Sequence, residues 1–394
     1  MMAKKKKRGR RTKKSQSTYF SIAIALMFCA AISLSLFLYF SNLRGATSSP
    51  IFEEIFSHDS DLKREMGRID RAIFEALYEG GIHEKDIIFV DVRPEHRGKY
   101  EWDFTELEIN LQGRKSGFWL SSTLREALSG FRPAVDCQEK RITEGEIHCL
   151  VFALGLNTHK IRIVSNKGEK FPQKKSRKIS IIVDDIGYDF AIAKDFMEFP
   201  LPLSLSILPL APQTDKIVKE ANRRKCEVML HLPMEPNSST PLNPGPEALL
   251  SSMGDSEIRE IVDRHLKKIP GVRGVNNHMG SSFTQDRNKM GVVLREVKKR
   301  GLFYIDSRTT SKTVALEVAR KMGISSAERS VFIDHELEPK AMQFQMERLL
   351  GIARHSGRAV GICHPSKMVL DVMKAYIPRL EKDFQVVPAS EIAR

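Results

Sequence analysis

The chain has 394 residues, with 63 Lys+Arg, 49 Asp+Glu and a formal net charge of +14. Hydrophobic residues make up 41% and charged residues 28%, an ordinary globular mixture that excludes bulk disorder and fibrous repeats. A chain of this length builds one large or two medium domains and buries a sizeable core without staples.

The basic excess is local. Nine cations lie between Lys4 and Lys14 with no acid among them, so the remaining chain carries 14 − 9 = +5. Nucleic-acid binding by the folded part is not indicated. Thr18–Phe40 follows, 23 residues without a charge. At ~1.5 Å per residue a helix of that length covers the ~30 Å hydrocarbon layer, and Tyr19 and Tyr39 stand where interfacial aromatics are favoured. Many cations before the segment, and only Arg44 shortly after it, orient the N-terminus toward the cytoplasm. The tail 1–17 is expected to lie on anionic lipid. A cleaved signal peptide is the competing reading, but its apolar region is only ~7–15 residues long and ends in small residues that Asn42–Ala46 matches poorly. The expectation is an inner-membrane protein with one span at 18–40 and its C-terminal domains on the periplasmic or extracellular side.

Residues 51–165 read as a small α+β module of unknown role. Ile55, Leu62, Met66, Ile69, Ile73 and Leu77 recur at mostly helical spacing and Gly80-Gly81 stops the run. Strands are predicted at 86–92 and 100–111, a helix at 121–128, and a closing hairpin from 147–153 and 160–164. His83, His96, His148 and His159 are isolated and read as surface or packing residues. Cys137 and Cys149 either pair in an oxidising compartment or are two unrelated small apolar residues. The polar, basic stretch 166–178 marks a linker.

From residue 179 to 394 short apolar runs alternate with helical stretches. Strands are predicted at 179–183, 203–208, 227–230, 272–276, 302–305, 331–333, 359–362 and 384–388, with helices between most of them. This alternation argues for parallel β/α units arranged as a barrel, closed or distorted. The strand ends carry the chemistry. Asp184 and Asp185 follow the first run, His231 the third, Asn277 and His278 the fourth, Asp306 the fifth, Asp334 and His335 the sixth, and His364 the seventh. In a β/α barrel such ends gather on one functional face. Each residue also has a plainer reading. Asp184-Asp185 can cap the next helix, His231 can bond a backbone carbonyl, His364 can cap or pack, and Asp306 can cap or pair with Arg308. Two adjacent buried carboxylates, however, call for a compensating cation. One carboxylate with two imidazoles suits Zn²⁺, which activates water and polarises a carbonyl.

The segments IIVDDIG (181–187), LPLAP (208–212), MLHLPMEP (229–236), NPGP (243–246), GVNNHMGSSFT (274–284), YIDSRTTSKTVA (304–315) and GICHPS (361–366) resemble the divergent polysaccharide deacetylase family, its YibQ-like branch, related to NodB-type carbohydrate esterases. The resemblance covers about residues 178–394. It implies a distorted (β/α)7–8 barrel of polysaccharide-deacetylase type and a divalent metal, usually zinc. It implies Asp184 as general base, Asp185 as carboxylate ligand, His231 as imidazole ligand and His364 as acid, with Asp306 orienting a histidine or contacting substrate. Ordinary deacetylases take two histidines from one H-x-x-x-H segment. Here the position four after His231 is Glu235, and His278 is the expected third ligand. The function expected is a membrane-anchored, metal-dependent deacetylase of an acetylated envelope polysaccharide, such as peptidoglycan. The alternative is a non-catalytic glycan-binding or scaffold protein of the envelope.

Overall fold

Amphipathic helices and short buried strands follow one another through two layered units of secondary structure. The computed structural model describes residues 60–82, 86–98, 100–111, 117–131, 134–165, 177–237 and 243–393. The basic tail, the candidate span at 18–40 and most of the linker lie outside the described residues. Among the described residues no helix is long and apolar enough to cross a membrane.

The first unit has helices α1 (Ser60–Glu79) and α2 (Gly117–Ser129) and strands β1 (Ile87–Arg97), β2 (Tyr100–Asn110), β3 (Val135–Thr143), β4 (Glu146–Ala153) and β5 (Leu156–Val164). The strand order is β1-β2-β5-β4-β3. In β4 every second residue is buried: Ile147, Cys149, Val151 and Ala153 pack with Leu62, Ile69, Ile73, Leu120 and Leu124 from the helices. Strand β3 is absent from the sequence-based expectation. It is an edge strand whose sequence VDCQEKRIT is mostly exposed beyond Cys137, so it carries no apolar run to betray it. Cys137 and Cys149 are buried and unbridged. His159 is a packing residue, its Nε2 2.7 Å from Asp70 Oδ1 on α1.

The second unit comprises β6 (Lys178–Ile186), α3 (Phe190–Met197), β7 (Ser204–Ile207), α4 (Thr214–Arg223), β8 (Glu227–Met234), α5 (Asp255–Lys268), β9 (Gly274–Met279), α6 (Arg287–Lys299), β10 (Phe303–Asp306), α7 (Ala315–Lys321), β11 (Ser326–Glu328), β12 (Val331–Phe332), α8 (Pro339–Ser356), β13 (Arg358–Cys363), α9 (Lys367–Asp383), β14 (Gln385–Val386) and α10 (Ala389–Ile392). The order along the sheet is β11-β10-β9-β8-β7-β6-β13-β12, with β14 beside β6, and the pairs are parallel. Among the described residues no ladder joins β11 to β12, so the curled sheet stays open there. The expected β/α units are present. The strands expected at 331–333 and 384–388 appear as the two-residue β12 and β14, and the three-residue β11 is too short to show a period in sequence.

Both faces of this sheet are covered, which is why its strands read as nearly continuous apolar runs. Alternate residues nevertheless go to different cores. Ile179, Ile181, Val183, Leu230, Leu232, Val275, Tyr304, Val331, Ile333 and Cys363 pack with the helices. Ile182, Met229, Phe303, Ile305, Phe332 and Ile362 meet inside the curl, with Val387, Ala389 and Ile392 beneath them. This parity decides which polar residues at the strand ends enter the interior.

The first unit docks on α8. Phe344 of α8 belongs to the first unit's core, its ring edge-on to Phe74 at 4.4 Å. Gly351 lets Phe89 approach the helix: a Cβ at that position would stand 2.3 Å from the Phe89 ring. Arg71 pairs with Glu338 at 2.6 Å, and Glu101 of β2 accepts from the backbone N–H of Ser311 at 3.1 Å.

Candidate functional site

The polar residues cluster at the C-terminal ends of β6, β8, β9, β12 and β13. Asp184 follows Ile182 in parity and faces the interior. Strict alternation would turn Asp185 outward. Asp185 instead has φ +52°, a left-handed conformation uncommon for a residue with a Cβ, and the β6–β7 register breaks between Val183 and Ile186. The bend puts two consecutive carboxylates at one site. It is held by the next turn, where Gly187 lies so close to Ala211 that a Cβ would stand 2.5 Å from it, and where Gln213 N–H donates to the Gly187 carbonyl at 2.8 Å. The DDIG and LPLAP segments are thus two sides of one packed turn.

Asp185 Oδ1 lies 3.0 Å from His231 Nε2 and 2.9 Å from His278 Nδ1. The two nitrogens are 3.2 Å apart. One carboxylate oxygen and two imidazole nitrogens therefore make a nearly equilateral triangle, and all three residues are buried. Tetrahedral Zn²⁺ with bonds of ~2.0–2.1 Å would separate its ligand atoms by roughly 3.3 Å. The triangle is slightly tighter than that, and the donor set fits a divalent cation of this kind. Burial alone pushes the Asp185 carboxyl up, but the His278 and His231 imidazoles outweigh it and hold that carboxyl well below the usual aspartate range.

Asp184 stands beside the triangle, its Oδ2 3.8 Å from His231 Nε2. Burial raises its pKa and the Asp185 charge adds to the rise; the His231 and His364 imidazoles and the Asn276 amide oppose it without cancelling it. On the other side, His364 follows β13. Its Nδ1 is 3.1 Å from Asp334 Oδ2, and its backbone N–H donates to the same oxygen at 2.8 Å. Tyr188, which follows the Asp184–Gly187 turn, is half-exposed; partial burial, then the nearby Asp185 charge, raises its phenol.

Five of the six site residues expected from sequence, Asp184, Asp185, His231, His278 and His364, come together. Asp306 does not join them. It continues the parity of Tyr304 toward the helices, and its oxygens accept from Arg308 N–H at 2.9 Å, Thr313 Oγ1 at 2.9 Å and Leu316 N–H at 3.3 Å. Asp306 therefore ties down the 306–316 loop. Glu235, at the place of the second H-x-x-x-H histidine, accepts from Ser251 N–H at 2.8 Å and braces a loop. The sequence placed Asp334 at a strand end but gave it no role, and it passed over Asn276. The signal for both was strand parity: Asp334 follows Phe332, and Asn276 precedes His278 by two.

An open, curled parallel sheet with paired aspartates and opposed histidines on its C-terminal face defines the deacetylase-type (β/α) half-barrel. The model for the family "Divergent polysaccharide deacetylase" matches residues 181–393, and the chain belongs to that family. An uncharacterized protein of Haemophilus influenzae is 30% identical over 217 residues, covering 55% of this chain and 77% of the relative. The uncharacterized protein YibQ of Escherichia coli is 30% identical over 215 residues, covering 55% and 67%. The crystal structure of the uncharacterized protein ATU2773 from Agrobacterium tumefaciens C58 superposes with a TM-score of 0.53 at 20% identity, covering 58% of this chain and 92% of that one.

Proposed function

We propose that this chain is a metal-dependent deacetylase of an acetylated envelope polysaccharide, with Asp185, His231 and His278 as the protein ligands. The observation that carries this reading is the triangle of donor atoms with edges of 2.9, 3.0 and 3.2 Å, beside a carboxylate on one flank and an Asp-supported histidine on the other. A divalent cation held there supplies Lewis acidity for an acyl carbonyl and for attacking water.

The chain's own residues supply the proton traffic. Asp184, ionised and buried, takes the proton of the attacking water. His364 gives a proton to the departing amine or alcohol. Asp334 accepts from His364 Nδ1–H, which leaves Nε2 to exchange the proton, and its charge stabilises the imidazolium. The products are acetate and the free amine or hydroxyl of the glycan. We infer further that the 18–40 segment anchors the chain in the inner membrane and that the described residues work outside it, within reach of peptidoglycan.

The non-catalytic alternative draws on Glu235 standing where a second histidine is usual. His278, reaching the triangle from β9, fills that place. Acetate release from N-acetylated peptidoglycan and chitin oligomers by the full-length protein, with and without Zn²⁺, tests the proposal. Metal-stimulated release that vanishes in Asp184→Asn supports it. Metal uptake with no release from any acetylated glycan returns the chain to the binding reading.

A further inference from the structure

Asn276 is fully buried among the groups just described. Its Nδ2 donates to Asp184 Oδ1 at 2.9 Å, to Asp184 Oδ2 at 3.0 Å and to Ser307 Oγ at 3.1 Å. Its Oδ1 accepts from Ser206 Oγ at 2.5 Å and stands 3.1 Å from His231 Nδ1. One amide thus touches the expected base and an expected metal ligand together.

The chemistry of the partners fixes its orientation. An ionised carboxylate only accepts, so the NH₂ end must face Asp184. The carbonyl end then faces His231, and a carbonyl also only accepts. His231 Nδ1 must therefore carry a proton. In a neutral ring with Nδ1 protonated, the lone pair is on Nε2, the nitrogen 3.0 Å from Asp185 Oδ1 and 3.2 Å from His278 Nδ1. The Ser206 hydroxyl holds the amide from the β7 side. The next residue, Asn277, makes a contrast: its Oδ1 accepts from Ser307 N–H at 2.9 Å and Tyr304 Oη at 3.2 Å, and its Nδ2 donates to the Met279 carbonyl at 2.8 Å. Asn277 braces backbone, whereas Asn276 bonds the site.

We propose that Asn276 is a positioning residue that fixes the tautomer of His231 and the orientation of the Asp184 carboxylate through a single side chain. This deepens the deacetylase reading and rests on its assignment of those two residues.

The direct test is on zinc-loaded, full-length protein labelled with ¹⁵N-histidine, because without a cation His231 Nε2 faces the Asp185 carboxylate and also carries a proton. Long-range ¹H–¹⁵N correlation, recorded where the His231 ring is neutral, identifies the protonated nitrogen. The expected result is an Nδ1–H shifted downfield by its hydrogen bond in the wild type, a shift retained in Asn276→Asp, whose carboxylate also accepts, and lost in Asn276→Leu. Zn²⁺ titration against a competing chelator is expected to show about 10–100-fold weaker uptake in Asn276→Leu, the usual cost of removing a residue that orients a ligand. An Nε2–H tautomer in the wild type overturns the proposal and needs no variant to fold. So does an Asn276→Leu protein that melts like the wild type and binds Zn²⁺ as tightly. A wild type in the Nδ1–H form that releases no acetate supports this assignment while removing the enzyme reading.

Discussion

Asp185 Oδ1 lies 2.9 Å from His278 Nδ1, although the carboxylate ends β6 and the imidazole ends β9, three strands along the sheet. The curl of the sheet brings them together, and the left-handed backbone at Asp185 turns the carboxylate inward. Three donor atoms in that position, without a cation, would be two imidazoles sharing one carboxylate oxygen. A divalent cation bound there would take these three atoms as its protein ligands.

Replacing one ligand should therefore cost the cation. His278→Ala and His231→Ala are each expected to abolish tight Zn²⁺ uptake. The thermal midpoint of the metal-free protein should fall in His278→Ala, because the buried Asp185 carboxylate loses the imidazole that most offsets its burial. Equilibrium dialysis with melting curves checks both. A His278→Ala protein that still binds one zinc as tightly as wild type would move the third ligand elsewhere.

The pH dependence follows from Asp184. Its carboxyl is raised above the ordinary aspartate value by burial. A base works only when ionised, so the acid limb of kcat/KM follows this carboxyl, and a cation held beside it would move the limb down. In the metal-free protein, ¹³C NMR of the Asp184 carboxyl should show titration above about pH 4, the ordinary aspartate value. A metal-free carboxyl that titrates at or below that value would contradict the environment given to Asp184.

Asp334 is expected to matter to rate and not to metal. Asp334→Asn keeps the shape but removes the charge that stabilises the His364 imidazolium. Acetate release should fall by about 10²–10⁴-fold, the usual range for a general acid, with zinc content unchanged. A variant with wild-type kcat would leave His364 without its assigned function.

The docking of the first unit on α8 makes a separate, structural prediction. Phe344→Ala removes a ring packed edge-on against Phe74, at a cost of about 3–5 kcal/mol. Gly351→Leu would drive a side chain into Phe89. Urea unfolding should show a lower midpoint in each case. If Phe344→Ala unfolds like the wild type, the two units are held by the polar contacts of Arg71 and Glu101 instead.

Much of the site was legible in the sequence because parallel strands expose their chemistry at their ends. Asp184, His231, His278 and His364 each follow an apolar run, and each continues the inward parity of its strand. Asp306 misled because its run is just as apolar, but it falls on the outward parity set by Tyr304, where the loop from Arg308 to Leu316 needs an acceptor. Asp185 is the opposite case. Parity places it outside, and only the positive φ brings it in, a feature no periodicity reports. Asp334 stood in view after its apolar run, but its two-residue strand has no period to show that it faces inward, and Asn276, inside β9, looks like ordinary turn chemistry. The edge strand β3 escaped because its polar surface resembles a loop.

Anomalous diffraction at the zinc edge from crystals of the full-length protein grown with Zn²⁺ tests the central claim most directly. The account predicts one strong peak per chain, about 2.0–2.2 Å from Asp185 Oδ1, His231 Nε2 and His278 Nδ1, and none in Asp185→Ala. A peak bound by other residues, or an ordered Asp185–His231–His278 cluster with no peak at saturating zinc, would contradict it.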